Sequence, residues 1–172
     1  MALTDFILPR VNVTFHNIET MLRTFDPEAE LFGMPLWKHA YHLLHSCDRW
    51  FVNPGRYDEP PFHTPGLNSL DDPVFEPHLS REDLLAYHAQ IRAKCLAYLE
   101  TLRDEDWVRD LESRAWTQAP ERRSWAPIEL LLGQFRHIYA HLGNINAVTM
   151  QQTGRWPRVV GLEWQISDEL WE

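Results

Sequence analysis

PGRYDEPPFHTPGLNSLDDPVFEPHL, Pro54 to Leu79, is the stretch on which the fold turns. Its six prolines, Pro54, Pro60, Pro61, Pro65, Pro73 and Pro77, remove backbone donors and fix φ at intervals too short for a regular helix or a central strand. The stretch therefore reads as a long connection between regular elements. Connections of this length inside one domain are functional lids or wide crossovers, and a wide crossover suits two helices that run in the same direction.

On its N-terminal side, Leu36, Ala40, Leu43, Cys47, Trp50 and Phe51 recur at helical spacing. They predict helix two from Leu36, just after Pro35, to about Val52, where Asn53-Pro54-Gly55 stops it. On its C-terminal side, Ser80 and Asp83 resemble a capping box, and Glu82 adds negative charge where the helix dipole favours it. Helix three starts there, with Leu84, His88, Ile91, Cys95, Leu99 and Leu102 on one stripe, and ends before the acidic run at Asp104 to Asp106. Trp107 to Arg123 is irregular. Ser124 and Pro127 mark the start of helix four, whose stripe of Ile128, Leu131, Phe135, Ile138, Leu142, Ile145 and Thr149 runs to Gly154. Val11, Phe15, Ile18, Leu22 and Phe25 place helix one between roughly Thr4 and Phe25. The expected fold is all-α, a four-helix bundle running up, down, down, up, with the long crossover between helices two and three.

At 172 residues, 44% hydrophobic and 24% charged, the chain fits one folded domain over 1–172, with a core from about 4 to 154 and a tail over 155–172. Its formal charge is -9, and the last eleven residues carry Glu163, Asp168, Glu169 and Glu172 with no basic side chain. Such a field repels phosphate backbones and anionic lipid, so neither nucleic acid nor membrane is an expected partner. The Arg122-Arg123 and Arg155/Arg158 pairs read as solvated loop arginines. Cys47 and Cys95 fall in different helices, which leaves no cysteine-based zinc motif and reads as two reduced, buried thiols. No apolar run reaches membrane length and no basic-then-apolar leader opens the chain, so the cytoplasm is the expected location. Trp156, Trp164 and Trp171 are expected to pack on the bundle or on a second subunit, and a homodimer is the expected assembly.

Nine histidines are many for this length, and they cluster. His137 and His141 are four apart on helix four, a spacing that stacks two imidazoles on one face, roughly 6 Å between Cβ atoms. A third imidazole from a facing helix would complete a three-nitrogen metal site, and helix two offers His39, His42 and His45. Helical periodicity does not choose among them: it puts His42 on a polar side with Lys38, His39, Ser46 and Arg49, which reads as a solvated face or the lining of a cleft. His88 falls within the apolar stripe of helix three and reads as a hydrogen-bonded core residue or a group beside the metal. His16, His63 and His78 have no companions in sequence. Glu-x-x-His pairs, the HExxH signature, phosphate loops and GxSxG turns are all absent.

Pro35-Leu36-Trp37-Lys38-His39-Ala40-Tyr41-His42, with Asp48, Trp50 and Phe51 beyond it, resembles helix two of the DinB/YfiT-like superfamily. Phe135-Arg136-His137-Ile138-Tyr139-Ala140-His141-Leu142-Gly143-Asn144-Ile145-Asn146 resembles the Arg-His-x-x-x-His-x-Gly-Gln-Leu-Asn segment of that superfamily, and Ser80 to Tyr87 its third-helix start. Asn144 stands where Gln is usual, and the tail past Gly161 has no counterpart. The resemblance implies the same bundle, selects His42 over His39 and His45, and makes His42, His137 and His141 the ligands of one divalent metal, zinc or nickel first and iron next. It further implies a metalloenzyme of thiol-dependent S-transferase type that uses a low-molecular-weight thiol on a small-molecule substrate. A metal-dependent hydrolase is the alternative, and a non-catalytic helical dimer with a structural or incidental ion is another. Tyr41, Asp48, Tyr139 and His88 are the expected acid-base or supporting groups.

Overall fold

Phe15, Ile18, Leu22 and Phe25 are fully buried, and they bring one face of α1 (Leu3–Thr24) onto a core that all four long helices share. The computed structural model describes residues 2–51, 57–112 and 124–172. The chain is mostly helical. After α1 come a hairpin of β1 (Glu30–Leu31) and β2 (Met34–Pro35), then α2 (Leu36–Trp50), α3 (Arg81–Glu100), a second two-stranded pair of β3 (Leu111–Glu112) and β4 (Ser124–Trp125), and α4 (Pro127–Thr153). Helix α1 packs on α3 and α4, and α2 packs on the same two helices. Each buried Leu, Ile or Phe in this core contributes about 1.5–3 kcal/mol of transfer free energy.

The helix ends follow local chemistry. Ser80 Oγ accepts from the Asp83 amide at 3.1 Å while Asp83 Oδ2 accepts from the Ser80 amide at 2.9 Å, so the expected capping box closes α3 at its start. Pro127 occupies the first turn of α4 and Gly154 ends it at φ 72, a left-handed conformation that glycine adopts without strain. The cap of α4 is Ala126, not Ser124, which pairs in β4 with Glu112. The two hairpins were not expected. In the first, Phe32 and Gly33 both have positive φ, the conformation that closes a two-residue hairpin, and strands of two residues leave no period to detect in sequence. Asn53-Pro54-Gly55, Arg122-Arg123 and most of the irregular stretch lie outside the described residues.

The polar side of α2 is not solvated. Lys38, His39 and His45 are buried because the first hairpin and the crossover fold over them. Lys38 Nζ donates to the Asp72 carbonyl and lies 5.0 Å from the Phe75 ring, and burial lowers its pKa. His39 Nε2 donates to the Leu31 carbonyl at 2.9 Å, which ties the first hairpin down. Each of these contacts satisfies a group that would otherwise be costly to bury.

The tail returns to α1. Asn17 Nδ2 donates to the Val160 carbonyl and Asn17 Oδ1 accepts from the Val160 amide, both at 2.9 Å. Arg155 stacks on the Trp171 ring and Arg158 pairs with Glu169, so this arginine pair serves contacts within the tail. Of the three tail tryptophans, Trp164 is not packed: it is 79% exposed. No helix among the described residues is long and apolar enough to cross a membrane.

Candidate metal centre

Helices α2 and α4 present His42, His137 and His141 to one another. His42 Nε2 and His137 Nε2 are 3.1 Å apart, the ring centroids of the three pairs lie 4.6–5.1 Å apart, and one ligand atom from each ring falls within 4.8 Å of the other two. The i, i+4 spacing of His137 and His141 sets one edge of this triangle. One turn further along α2, Ser46 Oγ donates to Gln134 Oε1 at 3.0 Å and joins the two helices beside the cluster.

Hydrogen bonding orients the donors. His42 Nδ1 is 2.7 Å from the Asn68 carbonyl oxygen, which can only accept, so Nδ1 carries a hydrogen and Nε2, which faces His137 Nε2, is the nitrogen left to act as a ligand. His137 Nδ1 is buried with no hydrogen-bond partner among the described residues, and His137 Nε2 faces His42 Nε2 inside the cluster. Burial, and then the neighbouring His42, push His137 down to about 4 and His141 down to about 3, so both rings are neutral at pH 7. Three imidazoles with converging nitrogens, two of them held neutral by burial, fit a divalent transition ion, because only the unprotonated nitrogen is a ligand. No fourth His, Cys, Asp or Glu ligand joins the group among the described residues.

A cleft of about 390 Å³ reaches His137, with Trp50, Trp125, Gly133, Gln134 and Arg136 among its walls. Gly133 has nothing within 4 Å of where a Cβ would stand, so the missing side chain leaves room on this side of α4.

The four groups expected to assist lie elsewhere. Tyr139 hydroxyl accepts from Asn17 Nδ2 at 3.2 Å and serves the tail contact on α1. His88 donates from Nε2 to the Phe15 carbonyl at 2.9 Å, and burial holds it down to about 4, as befits a core histidine. Asp48 accepts from the Tyr87 hydroxyl at 2.8 Å and pairs with Lys94. Tyr41 hydroxyl is 2.8 Å from His63 Nδ1. None of the four bonds to His42, His137 or His141.

A second group was missed in the sequence. His45, Glu59 and His63 also place one ligand atom each within 4.8 Å of the others. His45 Nε2 donates to Glu59 Oε2 at 2.7 Å, His63 Nε2 lies 3.8 Å from the same oxygen, and the two imidazoles stack at 4.9 Å. His78, also without a companion in sequence, meets Glu28 at 2.8 Å. The one available signal was the Glu-x-x-x-His spacing of Glu59 and His63, which carries no weight in a proline-rich segment.

The fold and this cluster define a helical protein with a histidine-lined cleft between two of its helices. Its family is shown by sequence: the profile of the DinB superfamily matches residues 18–145, well over half of the chain, and the chain belongs to that superfamily. No curated protein and no solved structure matches it.

Proposed function

We propose that His42, His137 and His141 hold one divalent transition ion, zinc or nickel in the first instance and iron in the second, and that the chain is a thiol-dependent S-transferase-like enzyme. The observation that carries this reading is the convergence of three imidazole nitrogens from two helices, one of them aimed by the Asn68 carbonyl. A metal held by three protein ligands supplies Lewis acidity to a bound thiol or water and lowers its pKa. The chain's own residues supply the rest. Asn68 holds the His42 tautomer, Ser46 and Gln134 fix the spacing of α2 and α4, and Trp50, Trp125 and Arg136 line the cleft in which a small substrate would sit. The same reading takes the helices as an up-down-down-up bundle, supported by the long crossover and by the packing of α2 on both α3 and α4. It also takes the protein as a cytoplasmic homodimer with neither nucleic acid nor membrane as partner. The charge of -9 supports the last point, and exposed Phe6, Leu132 and Trp164 offer apolar surface for a second copy.

Metal analysis of the purified chain and of His42→Ala, followed by a screen of small thiols with an electrophile, tests the proposal. One equivalent of metal fewer in the variant than in the wild type is expected, with thiol-dependent turnover only in the wild type. Undiminished metal in His42→Ala at the triad would overturn the ligand assignment. Turnover of esters or amides without thiol would convert the reading to that of a hydrolase.

A further inference from the structure

We propose that His45, Glu59 and His63 form a second site for a divalent transition-metal ion, separate from the triad and closed by the crossover between α2 and α3. Two imidazole nitrogens and one carboxylate oxygen make a donor set that suits zinc, iron or nickel, whereas calcium and magnesium favour oxygen ligands throughout.

The surroundings of the cluster are those of a metal site. The outer nitrogen of each ring is engaged: His63 Nδ1 by the Tyr41 hydroxyl at 2.8 Å, and His45 Nδ1 by Asn68 Nδ2 at 3.4 Å. Both Nε2 atoms therefore face Glu59. Partners on the outer nitrogens are what hold histidine ligands in orientation around an ion. His45 is 3% exposed, and burial lowers its pKa, which keeps the ring neutral. Burial by itself would raise Glu59, yet the hydrogen bonds from His45 and Tyr57 outweigh it and keep the carboxylate ionised. Both are the ligand forms of their groups.

Without an ion, one hydrogen occupies the space between His45 Nε2 and Glu59 Oε2. On metal binding that hydrogen is lost from Nε2 and the ring stays neutral by carrying one on Nδ1. A turn of the Asn68 amide then presents oxygen where nitrogen now lies, as that tautomer requires. Asn68 links the two clusters, with its carbonyl on His42 and its side chain on His45. An ion between α2 and the crossover would thus fix the segment that aims a triad ligand.

The proposal does not rest on the proposed enzyme. The competing account is a hydrogen-bonded clamp with no affinity for metal. Equilibrium dialysis of chelator-stripped protein against zinc alone separates them, with helical circular dichroism as the check on folding. Two zinc ions per chain are expected for the wild type, one for His141→Ala, one for Glu59→Gln and none for the combined variant. Glu59 is half-exposed on a loop, so Glu59→Gln leaves the fold unchanged, and His63→Ala is the second variant. Zinc content that Glu59→Gln and His63→Ala leave untouched overturns the second site, whatever His141→Ala does. Zinc lost in Glu59→Gln but kept in His141→Ala keeps the second site and removes the triad assignment instead.

Discussion

The two histidine clusters lie side by side on α2, His42 in one and His45 in the other, and they are built in opposite ways. The triad takes every ring from a long helix, and its edge between His137 and His141 is fixed by helical geometry. The second cluster takes one ring from α2 and two side chains from the proline-rich crossover, Glu59 and His63, held by Tyr41, Tyr57 and Asn68. Ligands on helices are preorganised by the backbone, whereas ligands on a loop depend on the contacts that pin the loop. The contrast separates a site the scaffold dictates from one that hydrogen bonds maintain.

Zinc-dependent stability breaks this comparison most directly. An ion that binds only the folded chain adds about 2.7 kcal/mol per site at a free concentration of 100 times Kd. Two occupied sites add about 5 kcal/mol, provided they bind independently. In His137→Ala the gain is expected to fall to about 2.7 kcal/mol, read as the shift of the urea midpoint with and without zinc. A variant that keeps the full gain would mean that the helical cluster binds no metal.

His88 supplies a third kind of histidine, buried and companionless. Its folded pKa of about 4 lies below the unfolded value of 6.5, so the unfolded chain binds a proton that the folded chain refuses. The stability this ring contributes is present in full above pH 6.5 and is lost as the pH falls to about 4, where the loss reaches roughly 3 kcal/mol. In chelator-treated protein, His88→Leu is expected to show a shallower decline between pH 6.5 and 4 than the wild type. Superimposable slopes would show that burial does not hold this ring neutral.

Legibility in the sequence divides along the same line as the two clusters. The stripes of α1 to α4, the Ser80–Asp83 cap and the Gly154 stop rest on helical period and cap chemistry, and each is found within a few residues of its expected place. The pair His137 and His141 was visible for the same reason. Periodicity misread α2, however: Lys38 and His39 look solvated on a helical wheel and are buried, because no periodic signal reports a loop folding over a helix. The same blindness hid Glu59, His63 and Asn68. Tyr41 and Asp48 are legible as chemistry-bearing side chains, but Tyr41 bonds to His63, and Asp48 faces Tyr87 and Lys94 of α3.

Tyr41 offers a finer cut, since its hydroxyl touches the loop-built cluster and makes no bond to the triad. Removing a group that orients a ligand weakens metal binding by about 10–100-fold. Tyr41→Phe is therefore expected to weaken zinc at the second site by that factor while the triad affinity stays at its wild-type value, read from a two-site titration. Equal weakening at both sites would mean that the clusters behave as one.

Gly133 tests what the triad has beside it, a cleft. A glycine inside a helix costs about 1 kcal/mol relative to alanine, and here no neighbour demands it, because the space around the missing Cβ is open for 4 Å. Gly133→Ala is accordingly expected to raise stability by about 0.5–1 kcal/mol. Gly133→Leu projects a larger side chain into the cleft wall one helical turn before His137. Its expected signature is unchanged zinc content at both clusters together with loss of thiol-transfer turnover. Retained turnover in Gly133→Leu would place the substrate on another side of the three rings. Stability that falls with alanine would mean that the local backbone, and not the cleft, is the reason glycine stands there.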